Sequence, residues 1–339
     1  MTEQPRSLVV GGGSWGTALA ALLSRQGVPT VLWARETEVV EGINGRDENP
    51  LFLAGVPLPA SLTAASDLDR ALIEAKVVVN AVPTQFIRTV FEPRADLLTG
   101  VTLLVSVSKG VEVGTLLTPS EVFQDIAPGP VTEGMVALSG PSFAQEVARG
   151  TPTAVVAASR VPGNARRARD LFSSETFRAY SSDDLIGVEM GGALKNVMAI
   201  AAGIADGLGT GLNTRAAVIT RGLAELARLG VAKGGHPLTF AGLSGIGDLV
   251  LTCTGDLSRN RRVGLEIGKG RTLENITAET NTVAEGVKTT LAARDLAHRL
   301  GVEMPITEQV YLTLHEGKDP RQVMKDLMTR QLRDEREHL

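Results

Sequence analysis

The sequence is poor in the residues that build metal centres and base-stacking surfaces. It has one cysteine, Cys253, and four histidines in 339 residues. A single thiol cannot form an intramolecular disulfide, and no two histidines have the H-x-x-x-H spacing of zinc sites. Aromatic residues make up only 4% of the chain, which argues against nucleic-acid binding by base stacking. We therefore expect no metal centre and no nucleic-acid partner.

Strong net charge and long apolar runs are also missing. A net charge of −4 gives no bulk attraction to nucleic acid or to anionic membranes. No run reaches the roughly 18 apolar residues of a membrane span, and the N-terminus lacks the pattern of a signal peptide. The sequence thus predicts a cytoplasmic protein without stable membrane anchoring.

What the chain does have is glycine, at 37 residues, and a clear alternation of segments in its first half. Between residues 6 and 160, short β-branched runs alternate with helical patterns, which is typical of a doubly wound parallel sheet. The predicted strands are Leu8–Val10, Thr30–Trp33, Val77–Val79, Val101–Val107, Met135–Leu138 and Thr153–Ala158.

After about residue 183 the strand-like runs stop. The predicted helices of this second half are Asp183–Ala205, Asn213–Leu229, Arg262–Ile267, Val287–Leu300 and Pro320–Met328. The length is also typical of two domains. We therefore predict an α/β fold: a Rossmann-type dinucleotide-binding domain over 1–189 and an all-helical substrate domain over 190–339.

The first predicted strand runs into a glycine-rich turn. Gly11, Gly13 and Gly16 satisfy the G-x-G-x-x-G pattern between a strand and a helix. In that context the first glycine makes the tight turn, the second admits the pyrophosphate, and the third permits close packing of helix on strand. The alternative is a structural turn without a ligand. We predict a nicotinamide dinucleotide site.

The coenzyme's 2′-substituent is read at the end of the second strand, where this chain has Arg35 and Glu36. Arginine accommodates a 2′-phosphate and therefore favours NADPH, while the neighbouring carboxylate leaves NADH open. Arg35 as a solvated surface cation is the other interpretation.

Three polar clusters lie in small, glycine-rich surroundings. Lys109 follows a predicted strand, where open α/β sheets bind ligands, although a lone loop lysine is commonly just solvated. Gly140 and Ser142 follow another strand, where they offer substrate contacts or simply a turn and a helix cap. Lys195 follows Gly191 and Gly192 on an apolar helix, where burial would lower its pKa and make it an acid or base.

A proton donor or acceptor is needed if a hydride moves to or from a carbinol carbon. Since no histidine lies in a motif, Lys195 is the best candidate, with a snorkelling lysine as the alternative. Asp248 follows a glycine run and is placed to bond the Lys195 ammonium or a substrate hydroxyl. The run Ser258-Arg259-Asn260-Arg261-Arg262 is a candidate phosphate grip, or else a solvated helix start.

Taken in order, these segments resemble the bacterial NAD(P)-dependent glycerol-3-phosphate dehydrogenases over roughly residues 5–328. The motifs that carry the resemblance are Gly11–Ala18, Ser108–Gly110, Ser139–Ala144, Gly191–Asn196, Gly242–Leu249, Ser258–Asn260 and Val283–Gly286.

The resemblance implies roles for individual residues. Lys195 resembles the proton acceptor of the oxidative direction, and Lys109 a contact to both substrate and cofactor. The implied substrate contacts are Lys109, Gly140, Ser142, Lys195, Asp248, Ser258, Arg259 and Asn260. The implied cofactor contacts, beside the three glycines, are Ser14, Trp15, Arg35, Lys109, Ala144, Arg259, Val283 and Glu285. The expected assembly is a homodimer.

The implied reaction is the reversible reduction of dihydroxyacetone phosphate to sn-glycerol 3-phosphate, the backbone of phospholipids. Two alternatives remain at this stage. One is a lysine-dependent β-hydroxyacid dehydrogenase, although those commonly place Lys and Asn four apart, whereas Asn196 follows Lys195 directly. The other is a non-catalytic NADPH-binding sensor, which would not need Lys195, Asp248 and Arg259.

Overall fold

The computed structural model describes residues 6–279, 284–332 and 334–335. These residues form two compact units. The sheet unit contains the described residues up to Ser108 together with Pro119–Leu185. The helical unit contains Lys109–Thr118 and the described residues from Ile186 onward.

The sheet unit is built on one eight-stranded sheet in the order β3-β2-β1-β4-β5-β6-β7-β8. Its strands are β1 Ser7–Val10, β2 Thr30–Trp33, β3 Thr63–Ala65, β4 Val77–Asn80, β5 Leu103–Ser106, β6 Val136–Ser139, β7 Thr153–Ala158 and β8 Phe177–Ser182. Every neighbouring pair is parallel except β6 and β7, which are antiparallel. The doubly wound α/β prediction is confirmed, with β3, β8 and the reversal at β7 added by the structure.

Helices flank this sheet. They are α1 Ser14–Arg25, α2 Thr37–Arg46, α3 Leu68–Glu74, α4 Ile87–Phe91, α5 Pro119–Ile126, α6 Pro130–Glu133, α7 Ala144–Ala148 and α8 Pro162–Phe172, with 3₁₀ segments at Thr84–Phe86 and Glu92–Gly100. Helix α1 buries a run of small and apolar side chains from Ala18 to Leu23 against the sheet core. That burial fixes the glycine turn that precedes α1.

The helical unit has no strand among its described residues. Its helices are α9 Leu185–Gly207, α10 Gly211–Ala232, α11 Pro237–Phe240, α12 Asp248–Thr254, α13 Arg259–Gly268, α14 Leu273–Ala278, α15 Glu285–Leu300, α16 Pro305–His315 and α17 Pro320–Met328, with a π-helical turn at Leu243–Gly247. Helix α9 is the central element, since residues such as Leu194, Val197 and Ile200 are fully buried in the core.

The unit boundary differs from the predicted domain boundary in two ways. The chain leaves the sheet unit after Leu185, because almost all of α9 packs into the helical core, whereas the sequence analysis placed the border after residue 189. The segment Lys109–Thr118 also belongs to the helical unit, because its buried residues Val111 and Leu116 join that unit's core. Lys109 thus lies with the helices and not with the sheet.

Two stretches of the described chain are long and apolar enough to cross a membrane by length and composition. The first, Leu185–Gly207, is buried along its whole apolar window, as the core helix of a globular protein is. The second, Pro237–Thr254, is 39% buried and consists of α11, the π-helical turn and α12. No span is expected from the sequence, and these two stretches are weak evidence for one.

Candidate active site

The glycine turn after β1 is shaped by close backbone contacts. Gly11 has φ +127°, and a Cβ on it would lie 2.8 Å from the carbonyl oxygen of Ala81. A Cβ on Gly16 would overlap the carbonyl oxygen of Gly11. A Cβ on Gly13 would meet nothing within 4 Å. The first and third glycines are therefore required by the fold, while the second borders open space.

The N-terminus of α1 presents polar groups to that space. No side chain caps this helix end, so its first amides remain available to an anion. The buried indole Nε1 of Trp15 has no acceptor among the described residues. The Ser14 hydroxyl is already used, since it donates to the carbonyl oxygen of Phe52 at 2.5 Å. The turn is therefore suited to bind the pyrophosphate of a dinucleotide, and the indole N–H of Trp15 is available to donate a hydrogen bond to a polar group nearby.

The remaining predicted residues of the sheet unit lie after β2 and β6. Arg35 is 84% exposed and pairs with Glu36 at 2.9 Å. Gly140 has φ +147°, and a Cβ there would lie 2.9 Å from the Cα of Val155, so β7 explains this glycine. The Ser142 hydroxyl donates to the Gly140 carbonyl at 3.0 Å, and Ala144 opens α7, which packs against α1.

In the helical unit, three predicted residues form one buried charge cluster. Lys195 donates from Nζ to Asp248 Oδ1 and, at 3.0 Å, to the hydroxyl of Thr252. Lys109 donates from Nζ to Asp248 Oδ2 at 2.8 Å. The side chains of Lys195, Asp248 and Lys109 are only 9%, 1% and 14% exposed. The predicted bond between Lys195 and Asp248 is confirmed, and Lys109 joins it.

A glycine contact brings the elements of this cluster together. A Cβ on Gly191 of α9 would lie 2.5 Å from the Ser244 carbonyl in the π-helical turn. Lys195 lies four residues after Gly191, and Asp248 lies four residues after Ser244. Each charged residue is therefore about one helical turn from the contact between Gly191 and Ser244. The backbone of the π-helical turn therefore lies against α9 at Gly191, where a larger residue would not fit.

The cluster shifts the pKa values of its members in opposite directions. Burial lowers the pKa of Lys195 to about 8, since Asp248 opposes the desolvation only in part and Lys109 adds to it. Burial alone would raise the pKa of Asp248, but the Lys109 and Lys195 ammonium groups outweigh it and hold that pKa below its usual range. The site therefore combines a permanent carboxylate with a lysine that titrates near neutrality.

A chain of amide hydrogen bonds continues from this cluster. Asn196 donates to the Lys109 carbonyl at 3.2 Å and accepts from Asn260 at 2.9 Å. Asn260 in turn accepts from the backbone N–H of Gly286 at 3.0 Å. These bonds link the Lys109 segment, α9, α13 and α15 around the charge cluster.

The other predicted residues of this unit border the amide chain. Arg259 is the exposed first residue of α13, and the Ser258 hydroxyl caps that helix by accepting from the Arg261 N–H at 3.2 Å. Glu285 opens α15, next to Gly286. Val283 lies outside the described residues.

Two family models match most of the chain. Residues 8–165 match the NAD-dependent glycerol-3-phosphate dehydrogenase N-terminus, and residues 184–325 match the C-terminus of the same family. The chain belongs to the NAD-dependent glycerol-3-phosphate dehydrogenase family.

Individual members of the family match the chain almost end to end. A glycerol-3-phosphate dehydrogenase [NAD(P)+] of Citrifermentans bemidjiense is 54% identical over 96% of this chain and 98% of its own length. One of Myxococcus xanthus is 52% identical over 97% and 98%. The crystal structure of the Coxiella burnetii glycerol-3-phosphate dehydrogenase has a TM-score of 0.92 at 38% identity, covering 96% of this chain and 99% of that one.

The structure of the present chain shows further site residues that were not predicted from its sequence. Thr252 bonds Lys195 and lies one turn after Asp248, so its i, i+4 spacing was a usable signal. Asn196 was noted only for its place in the motif. Asn80 donates to the Ser106 and Ser108 hydroxyls at 3.1 and 2.9 Å, tying the ends of β4 and β5 in the sheet unit, and no pattern in the sequence marked it.

Proposed function

We propose that this chain catalyses the reversible reduction of dihydroxyacetone phosphate to sn-glycerol 3-phosphate with NAD(P)H. The observation that carries the proposal is the buried cluster of Lys195, Asp248 and Lys109 in a chain of this family. A pure binding protein gains nothing from two ammonium groups held on one buried carboxylate, because such burial is costly.

The proposed cofactor contacts follow the geometry of the sheet unit and the family's pattern. Bound reduced nicotinamide supplies the hydride for the carbonyl carbon of the substrate. Gly11, Gly13 and Gly16 would hold the pyrophosphate on the α1 N-terminus. The further proposed contacts are Ser14, Trp15, Arg35, Lys109, Ala144, Arg259, Val283 and Glu285.

The substrate's phosphate is assigned to the start of α13. Arg259 is exposed there, and its guanidinium makes no hydrogen bond among the described residues. Arginine binds phosphate bidentately. Asn260 lies beside it and is held by Asn196 and Gly286. Lys109, Gly140, Ser142 and Ser258 complete the proposed substrate contacts.

The proton step is assigned to Lys195. In reduction its ammonium donates a proton to the substrate's carbonyl oxygen as charge develops there, and in oxidation its neutral amine takes the hydroxyl proton. Asp248 holds the Lys195 ammonium in place by accepting a hydrogen bond at Oδ1. The Thr252 hydroxyl accepts a second N–H of the same ammonium and so restricts its orientation. Lys109 shares the carboxylate and helps to set the pKa of Lys195.

Coenzyme preference, assembly and location are further parts of the proposal. Arg35 supports NADPH, although its pair with Glu36 weakens that preference. The expected assembly is a homodimer, in the cytoplasm, with small molecules as its partners and phospholipid synthesis as its outlet. Light scattering after size exclusion measures the assembly directly.

The deciding experiment is a spectrophotometric assay. Purified protein is mixed with dihydroxyacetone phosphate and either NADH or NADPH in parallel, and loss of absorbance of the reduced nicotinamide is followed. We expect turnover that depends on the substrate and yields sn-glycerol 3-phosphate. Cofactor binding without turnover would instead support the sensor interpretation, and turnover of a β-hydroxyacid alone would support the other dehydrogenase class.

Alanine substitutions in the glycine turn are expected to separate folding from cofactor binding. Gly11→Ala and Gly16→Ala should lower the melting temperature, because each new Cβ meets backbone. Gly13→Ala has free space in the chain itself, so its melting temperature should be near normal while the KM for NAD(P)H rises about tenfold or more through contact with the pyrophosphate. A normal KM for Gly13→Ala would contradict the placement of the pyrophosphate.

The pH dependence of the reaction should report Lys195. Because the ammonium is the form below its pKa of about 8, kcat/KM for reduction should be constant below that pH and fall about tenfold per pH unit above it. For oxidation the neutral amine is needed, so kcat/KM should rise through the same pH. Initial rates in both directions from about pH 6.5 to about pH 9.5 check this, with the substrate phosphate fully ionised over most of the range.

A further inference from the structure

A second buried carboxylate in the helical unit links three helices, and the proposed reaction does not use it. Asp206, near the end of α9, is only 7% exposed. Its Oδ1 accepts from Arg215 Nε at 2.8 Å and pairs with Nη2 at 2.7 Å. Its Oδ2 accepts from Arg261 Nε at 2.9 Å and pairs with Nη2 at 2.8 Å. Each oxygen is therefore occupied by one guanidinium.

The location of Asp206 separates it from the chemistry. It lies 11 residues after Lys195 on the same helix, which is about 16 Å at 1.5 Å per residue. Arg261, however, belongs to the first turn of α13, directly after Arg259 and Asn260. Asp206 thus holds the helix end to which the substrate's phosphate is assigned, without approaching the reacting atoms.

The same two helices are in direct backbone contact. Gly203 and Gly207 of α9 face Gly264 and Gly268 of α13, with a spacing of four residues on each helix. A Cβ on Gly203 would lie 2.8 Å from the Leu265 nitrogen, and one on Gly264 would lie 2.9 Å from the Ile200 carbonyl carbon. This contact sets the distance between the helices.

We propose that Asp206 is a positioning residue that fixes the first turn of α13, and with it Arg259 and Asn260, for the substrate's phosphate. The inference rests on the proposed function. The other partner of Arg261 is Asp256, which is 97% exposed and gives little restraint. The buried pair with Asp206 is consequently the stronger restraint on Arg261, and it acts together with the hydrogen bonds that Asn260 makes to Asn196 and Gly286.

The test separates the substrate's phosphate from general stability. In Asp206→Asn an NH₂ donor replaces one carboxylate oxygen and faces a guanidinium, which is also a donor. The pairing of residue 206 with Arg215 and Arg261 is therefore weakened. We expect the KM for dihydroxyacetone phosphate to rise about tenfold, since displacements of about 1 Å cost up to 100-fold in positioned sites. The inhibition constant of inorganic phosphate, used as a competitive inhibitor, should rise by a similar factor. The value of kcat should stay within about twofold of wild type. The KM for NADPH, which Arg259 is also proposed to contact, should rise by a smaller factor than the KM for dihydroxyacetone phosphate.

Two further variants make the result interpretable. Arg261→Lys should also raise the KM for dihydroxyacetone phosphate and the inhibition constant of phosphate. If Asp206→Asn does not fold, Arg261→Lys serves as the test variant. Glu308→Gln is the matched control, because it changes a carboxylate that pairs with Arg294 at 2.9 Å and so joins α15 to α16. It should leave the KM for dihydroxyacetone phosphate and the inhibition constant of phosphate unchanged.

Three outcomes would count against the inference. An unchanged KM for dihydroxyacetone phosphate in an active Asp206→Asn enzyme overturns it. An equal change in Glu308→Gln also overturns it, as does a fall in kcat accompanied by equal rises in the KM values for dihydroxyacetone phosphate and NADPH. If wild-type protein does not reduce dihydroxyacetone phosphate at all, the proposed function fails instead, which keeps the two failures distinct.

Discussion

Lys195→Met is expected to lower kcat for the reduction of dihydroxyacetone phosphate by about 10³-fold, within the range of positioned acid–base and electrostatic groups. Methionine keeps the apolar stem and volume of the lysine but cannot donate a proton to the carbonyl oxygen. Asp248 Oδ1 and the Thr252 hydroxyl also lose their shared donor. The measurement is kcat under saturating substrate and NADPH.

Binding and pH measurements complete this prediction. Fluorescence of bound NADPH should give a dissociation constant near that of wild type, and the fall in activity above pH 8 should disappear because its titrating group is gone. Lys269→Met, which removes a half-exposed lysine directly after α13, is the control and should retain activity. A kcat for Lys195→Met within about tenfold of wild type would remove Lys195 from the proton step.

Asp248→Asn and Lys109→Met are expected to move the pH profile in opposite directions. The Asp248 carboxylate raises the pKa of Lys195, and the Lys109 ammonium lowers it. Without Asp248, the pKa of Lys195 should drop by about one pH unit or more. A drop of one unit leaves mostly neutral amine at pH 7.5 and lowers the rate of reduction about threefold through protonation alone. Without Lys109, the pKa should rise, so that the falling limb of the profile moves to higher pH.

The two variants should also differ in stability. Asp248→Asn leaves two largely buried lysines without a counter-charge, and breaking such a buried pair costs about 3–5 kcal/mol unless a lysine loses its proton. Lys109→Met removes one charge and leaves the pair between Lys195 and Asp248 intact. Thermal denaturation at pH 7 and pH 9 measures the difference. Shifts of the pH profile in the same direction would show that Asp248 and Lys109 do not act through the charge of Lys195.

The strands that the sequence predicted are those whose burial leaves a continuous signal. β2 and β7 have the predicted bounds, and every residue of β1, β4, β5 and β6 is buried. β3 has only three residues and is partly exposed, and β8 alternates buried and exposed positions, so neither resembles a fully buried strand. The antiparallel direction of β7 was equally hidden, because its sequence Thr153–Ala158 is a short apolar, β-branched run like those of the parallel strands.

In the site, likewise, features marked by a local motif could be predicted from the sequence, whereas contacts between residues far apart in the chain could not. The glycine fingerprint and the bond from Lys195 to Asp248 were both predicted from the sequence. The amide chain from Asn196 through Asn260 to Gly286 depends on contacts between residues 26 and 64 positions apart, and no local pattern indicates them. The clamp from Asp206 to Arg261 spans 55 positions and was missed for the same reason.

The Lys109–Thr118 segment has a consequence for how such a protein can be divided or recombined. Because this segment lies in the helical unit, the chain crosses from one unit to the other three times, after Ser108, Thr118 and Leu185. A gene fragment that starts at Ile186 would encode every helix of that unit but not Lys109, nor the Val111 and Leu116 side chains of its core. Exchange of the C-terminal half between two dehydrogenases would therefore split one charge cluster between two parents, and a functional chimera needs this ten-residue insert to travel with its own helices.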